Sequence, residues 1–181
     1  MEVESFGAGV FAIRGFLSEQ ECAHHIAESE RIGYSEAHMS SDDGERRLKD
    51  YRNNDRIVYD NAELAASLFQ RAKPHLPQKQ DQWLLSGFNE RFRFYRYEGE
   101  QFFRMHMDGT FRRSESEESA LTFLIYLNDN FSGGETDFIW ERIKPMRGSA
   151  LVFPHRLNHQ GSVVTSGIKY VLRTDVMYKI S

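Results

Sequence analysis

The chain has 181 residues, 28% of them charged and 40% hydrophobic, with a formal net charge of −4. That length suits one domain with a real core, and the slight acidity offers no bulk attraction to a polyanion, which argues against nucleic acid as a partner. A single cysteine, Cys22, excludes an intrachain disulfide and a cysteine-rich metal cluster and points to a reducing, cytoplasmic setting. No secretory pattern opens the sequence, and no run approaches the roughly 18 apolar residues of a membrane span.

Taken in chain order, Ser18 followed by Glu21 forms a capping box, with Leu17 and Cys22 at the staple positions around it. Cys22, Ala23, Ile26 and Ala27 then share an apolar face, which predicts a helix over about 18–31. His24 and His25 fall inside it and read as solvated or core-edge residues. Residues 38–56 (HMSSDDGERRLKDYRNNDR) are polar with little periodicity, either a solvated loop or a functional lid, with His38 at its start. A second helix is expected from Asp60, with Leu64, Ala65, Leu68 and Phe69 turned inward. It should end before Pro74, leaving His75 in a loop.

From residue 88 the pattern changes. FNERFRFYRY alternates, broken only mildly by Phe88, Phe92 and Phe94, and ALTFLIYL, ALVF and KYVLRTDVMY are rich in aliphatic and aromatic residues. EGE, DGT, NDNFSGG and TSG supply turns, and residues 109–119 (GTFRRSESEES) read as a mixed-charge loop. The expectation is a mainly β fold with two flanking helices packed on an outer sheet face. One domain covers 1–181, with a buttress over about 1–87 and a β core over about 88–181.

Within RMHMDG, His106 and Asp108 stand two residues apart, so on a strand they project to one face, about 6–7 Å apart at the backbone. An imidazole and a carboxylate are two parts of a facial triad that leaves sites open on Fe(II). FPHRLNHQG offers His155 and His159 for the third place. Pro154 argues against a helix carrying both, and the downstream spacing favours His159. Lys169 follows ten residues later, after a turn at Gly167, on a strand whose one face carries Lys169, Val171 and Arg173. Basic side chains directed into a barrel require an anion, and a dicarboxylate would serve. The competing reading is a strand with its basic face in solvent.

FYRYEGEQFFRMHMDG, YLNDNFSGGET, GSALVFPH and HQGSVVTSGIKYVLRTDVMY, together with the opening FLSEQEC, resemble the prolyl 4-hydroxylase group of Fe(II)/2-oxoglutarate dioxygenases. The resemblance implies a double-stranded β-helix (jelly-roll) core. It also implies His106, Asp108 and His159 as Fe(II) ligands and Lys169 as partner of the distal carboxylate of 2-oxoglutarate. Tyr97 would donate a hydrogen bond to the same carboxylate, with Arg173 as an alternative or supporting anchor and Glu135 structural or near the rim.

Fe(II), 2-oxoglutarate and O2 are thus the implied reactants, with ascorbate as an accompanying reductant and succinate and CO2 as products. A carboxylate at Asp108 points to hydroxylation, since halogenases on this core have a small residue there. The implied substrate is a peptidyl proline, another protein side chain or a free small molecule, and Arg52, Asn53, Asn54 and Arg56 with residues 109–119 would rim its site. The rival classes are a non-catalytic metal-binding β-barrel and a metal enzyme that needs no 2-oxoglutarate. Lys169 and Arg173 speak against the second.

Overall fold

The computed structural model describes residues 1–36 and 50–180. The chain opens with a hairpin, β1 (Glu2–Gly7) and β2 (Val10–Arg14), followed by helix α1 (Glu19–Ile32) and the short β3 (Ser35–Glu36). β4 (Asp55–Asp60) leads into α2 (Ala62–Ala72), which closes in a 3₁₀ turn over Lys73–His75. The rest is strand: β5 (Lys79–Gln80), β6 (Trp83–Phe88), β7 (Arg91–Glu98), β8 (Phe103–His106), β9 (Arg112–Ser114) and β10 (Glu117–Tyr126). β11 (Ser132–Gly133), β12 (Thr136–Phe138), β13 (Arg142–Ile143), β14 (Ala150–Pro154), β15 (His159–Gly161), β16 (Val164–Ser166) and β17 (Ile168–Lys179) complete it.

Among the described residues the strands form an eleven-stranded major sheet with the path β1-β2-β14-β10-β17-β7-β4-β3. β6 lies beside β17, and β5 and β9 extend β6 and β10. A four-stranded minor sheet runs β13-β12-β15-β8, and β11 pairs with β16. The pairings are antiparallel. The mainly β jelly-roll expectation holds.

Period-two alternation on the long strands builds two cores. On β17, Leu172, Val176 and Tyr178 join Phe92 and Phe94 of β7 and Leu121, Phe123 and Ile125 of β10 under the helices. The other face carries Val171, Tyr95, Tyr97 and Tyr126 against Phe138, Phe153 and Val164. The major sheet is therefore buried on both faces, which is why β7 shows aromatics at adjacent positions instead of strict alternation.

The capping box is present: Ser18 Oγ accepts from Glu21 N (3.2 Å) and Glu21 Oε2 accepts from Ser18 N (2.8 Å). The inner face of α1 is rotated from the expected one. Cys22 and Ser29 are buried and Ile26 is half-buried, whereas Ala23 and Ala27 are exposed. Alanine carries too little apolar area to set a helix's orientation, and Ser29 tolerates burial because its hydroxyl donates to Ile26 O (2.8 Å) and accepts from Tyr34 (2.9 Å). α2 starts at Ala62, two residues after the expected Asp60, capped by Asn61, whose Oδ1 accepts from Leu64 N (2.9 Å). Arg71 ties the helices together through Glu21 (2.7 Å) and the Phe16 carbonyl (2.9 Å).

The first half is less helical than its pattern suggested, because β1, β2 and β4 extend the major sheet. Of the polar stretch 38–56, residues 38–49 lie outside the described residues, and in the remainder Arg52 and Asn54 are buried. No helix among the described residues is long and apolar enough to cross a membrane. Ser18→Ala removes the cap and is expected to cost about 1 kcal/mol, read as a lower urea midpoint at unchanged m-value.

Candidate active site

The space between the two sheets is where their chemistry meets. The minor sheet brings His106 at the end of β8 opposite His159 at the start of β15, and Asp108 follows two residues after His106. One ligand atom from each of these three side chains lies within 4.8 Å of the others. His106 Nε2 and His159 Nε2 each stand 3.7 Å from an Asp108 carboxylate oxygen. Each ring places Nδ1 against a backbone carbonyl, His106 on Arg104 O (2.7 Å) and His159 on Leu157 O (2.9 Å). A carbonyl only accepts, so Nδ1 carries the proton and Nε2 keeps its lone pair for a metal.

Burial, and then the neighbouring His159, bring His106 down to about 4, so it is neutral at pH 7. Burial pushes the Asp108 carboxyl up. Arg173, His159 and the Thr122 hydrogen bond outweigh it and hold the carboxyl at about 2. Two neutral imidazoles and one carboxylate are a donor set suited to Fe(II). Phe103 stacks on the His106 ring (centroids 3.5 Å) and Phe153 meets His159 edge-on (4.5 Å), fixing both rings.

The major sheet supplies the basic side. Lys169 and Tyr97 are paired across β17 and β7, and Lys169, Val171 and Arg173 share one buried face, as expected. Arg173 is fully engaged at its tips, with Nη2 3.1 Å from both Asp108 Oδ1 and Asp175 Oδ1, and Nη1 donating to Tyr95 OH (3.3 Å). Lys169 is different. It is 3% exposed, and its Nζ donates to the Gly134 carbonyl (2.6 Å) above the rings of Tyr97 and Tyr126. Burial pushes its ammonium down to about 8. A buried cation held by a carbonyl and two ring faces is poised for an anion. Tyr97, Lys169, Arg173 and the three metal-ligand candidates all line one pocket of about 420 Å³.

His155 does not join the three ligand candidates. It is 2% exposed and bonds Ser119 (2.8 Å) and Thr122 (2.9 Å), and Thr122 Oγ1 in turn donates to Asp108 Oδ2 (2.5 Å). Glu135 is half-buried beside the Gly133–Gly134 turn, where its backbone carbonyl accepts from Ser162 N (2.9 Å). His24 lies exposed on α1, and His75 is in the turn after α2. His38 falls outside the described residues.

Residues 92–174 match the model of the 2OG-Fe(II) oxygenase superfamily. The chain is a 2-oxoglutarate- and Fe(II)-dependent dioxygenase. The fold of the dioxygenase resembles that of the viral collagen prolyl hydroxylase of Paramecium bursaria Chlorella virus-1 in complex with 2-oxoglutarate. That likeness has TM-score 0.69 and 22% identity and covers 96% of this chain and 98% of that one. A prolyl-4-hydroxylase of Pseudomonas putida gives TM-score 0.68 at 17% identity over 96% and 93%. A prolyl hydroxylase of Trichoplax adhaerens, in complex with a hypoxia-inducible-factor peptide fragment, gives 0.69 at 18% over 93% and 83%. No curated protein sequence matches the chain.

Sequence reasoning did not single out Thr122 or Asp175, which sit in strands that read as packing, or Ser119, which fell in the expected loop 109–119 and instead belongs to β10. It placed Arg52 in a stretch read as either a solvated loop or a lid, at the rim of the substrate site. In the dioxygenase the Arg52 guanidinium lies between the rings of Tyr95 (4.6 Å) and Phe103 (4.4 Å), against the pocket wall. The arginine within a polar run gave no signal of that burial. Arg173→Met strands the Asp108 carboxylate without its cation and leaves Asp175 paired with Arg93 alone, and is expected to destabilise the metal-free protein by about 3–5 kcal/mol, measured by denaturant unfolding.

Proposed function

We propose that the chain hydroxylates an unactivated C–H bond, with a prolyl residue of a peptide as the favoured target. In this reading His106, Asp108 and His159 hold Fe(II), and Lys169 with Tyr97 anchors the distal carboxylate of 2-oxoglutarate. Arg173 serves as the partner of Asp108. The observation that carries the reading is the buried Lys169 ammonium, met by the Gly134 carbonyl, on the same pocket as the three ligands. A dicarboxylate fits that cation, whereas a metal enzyme without such a co-substrate has no use for it. When bound, Fe(II) and 2-oxoglutarate supply O2 activation coupled to oxidative decarboxylation, which yields succinate, CO2 and a hydroxylated product.

The chain's own residues do the rest. The His106 and His159 rings present Nε2 without first losing a proton. Phe103 and Phe153 hold those rings, and Val171 and Leu124 help keep the pocket wall apolar and exclude water. A second cleft of about 430 Å³ shares Phe103, Gln160 and Gly161 with the metal pocket and continues along Phe102, Arg104, Ser162 and Val163. An elongated opening suits a peptide lying across the mouth better than a compact free substrate. The prolyl hydroxylases among the fold's likenesses support the same choice. Residues 50–56 and 109–119 are the proposed rim, and the single unpaired, buried Cys22 suits a reducing cytoplasm.

Anaerobic protein given Fe(II) and 2-oxoglutarate, then O2, is expected to form succinate, with none from His106→Ala. Proline-containing peptides should raise the rate more than free proline. A rate that rises only with free small molecules would move the target to that class. Lys169→Ala is expected to raise the KM for 2-oxoglutarate about 10- to 100-fold, the loss of one charge-assisted bond. The pH profile follows from the depressed lysine. The cation persists below about 8 and is lost above it, so the KM for 2-oxoglutarate should be flat up to about pH 8 and then rise about tenfold per unit. A KM flat to pH 9.5 would count against Lys169 as the anchor.

A further inference from the structure

Behind Asp108 runs a hydrogen-bonded chain in which every link has a fixed direction. At one end the Asp108 carboxylate can only accept, so the hydroxyl hydrogen of Thr122 is committed to Oδ2. Thr122 Oγ1 must then accept from His155, which places the imidazole proton on Nδ1. His155 Nε2 is left as an acceptor and takes the hydroxyl hydrogen of Ser119. Ser119 is free to give it, because its other partner is the Phe111 N–H, which only donates (2.8 Å). The opposite bond, Ser119 N to Phe111 O (2.8 Å), clasps the same two residues, and the Asp108 N–H donates to the His155 carbonyl (2.9 Å).

We infer that Thr122 and His155 are positioning residues that aim the Asp108 carboxylate at the metal. Through Ser119 they tie that aim to the β9–β10 hairpin following Asp108. The inference rests on the reading of His106, Asp108 and His159 as the Fe(II) ligands.

Three observations carry it. Ser119, Thr122 and His155 are each at most 2% exposed, yet none of them lines the metal pocket, so they act on it only through Asp108. Thr122 grips Oδ2 while Arg173 pairs with Oδ1, so the carboxylate is held from both sides and cannot rotate about its last bond. The network is also closed: each hydroxyl donates once and accepts once, and of the two ring nitrogens Nδ1 donates and Nε2 accepts. A histidine serving only as packing would not need a matched partner on each nitrogen. Partners of this kind behind a metal ligand commonly change metal affinity 10- to 100-fold when removed.

The test is an anaerobic titration with Co(II), followed by its visible absorption, beside thermal unfolding of the metal-free proteins. Native protein is expected to bind and Asp108→Ala to fail. Thr122→Val, which keeps shape but loses the hydroxyl, should bind 10- to 100-fold more weakly, and Thr122→Ser should recover near-native affinity. His155→Phe should weaken binding in the same direction. The double variant His155→Phe/Thr122→Val should be no weaker than Thr122→Val alone, because one broken link already breaks the chain.

Equal binding by native and Asp108→Ala protein would sink the metal-ligand reading itself and this inference with it. If Asp108→Ala fails but folded Thr122→Val binds like native, or the two weakenings simply multiply, the positioning role is overturned alone. Should Thr122→Val not fold, Ser119→Ala carries the test, with weaker Co(II) binding expected and native affinity overturning the link to the hairpin.

Discussion

Charge that cannot reach water governs this molecule. The side chains of Asp108, Lys169, Arg173 and Asp175 are largely withdrawn from solvent, in the layer between the two sheets or at its edge. Burying any of them alone would be prohibitive, so each must be met within a few ångströms. Arg173 settles most of the account by bridging both carboxylates, and Asp175 is shared further with Arg93 (3.4 Å) and Asn89 (3.2 Å). What remains is the Lys169 ammonium, hydrogen-bonded by a carbonyl, with the carboxylates of Glu135 and Asp137 too weak in effect to offset its burial. The pocket lining thus sets two cations, Lys169 and Arg173, against the one carboxylate of Asp108, which leaves a net need for an anion.

The two sheets divide the labour by register. β8 and β15 set His106 against His159, and β7 and β17 set Tyr97 against Lys169, so a one-residue slip in either pair would turn a functional side chain to the wrong face. The Gly133–Gly134 turn lets the layers approach. Both glycines have positive φ, and a Cβ at Gly134 would come within 3.0 Å of Val164 and 3.1 Å of the Lys169 stem. A side chain there would push away the carbonyl that holds Lys169, which is why the turn belongs to the pocket as much as to the fold.

Much of this was legible in the sequence because it depends on local periodicity. The Ser18–Glu21 box, the inward stripe of α2 and the shared face of Lys169, Val171 and Arg173 are statements about neighbours in the chain, and each has its counterpart in the fold. His106 and Asp108 converge too, although β8 ends at His106 and Asp108 lies past it rather than on the expected strand. The β1–β2 hairpin and β4 escaped because their strands are short and find their place only by pairing with β14 and β7, far away in sequence. Arg52 escaped for a related reason. Its polar surroundings signal solvent, whereas its burial is made tolerable by the rings of Tyr95 and Phe103, distant in sequence, together with an Nε bond to Asn54 Oδ1 (2.7 Å). The Thr122–Asp108 bond joins a threonine in an apolar strand to a carboxylate in a turn, and no spacing rule connects them.

The contrast between His155 and His159 shows how the fold converts such distant pairing into chemistry. Four residues apart, they lie on opposite sides of the point where the chain leaves β14 of the major sheet and enters β15 of the minor one. A helix would have put both on one face. This crossing instead sends His155 back between Ser119 and Thr122 of β10, and delivers His159 to the partner position of His106. Asp108 lies between the two, its backbone N–H on the His155 carbonyl and its carboxylate beside the His159 ring. One short segment therefore fixes the carboxylate from behind and supplies the imidazole in front. The geometry of the site is in that sense a property of the sheet crossing rather than of any single residue.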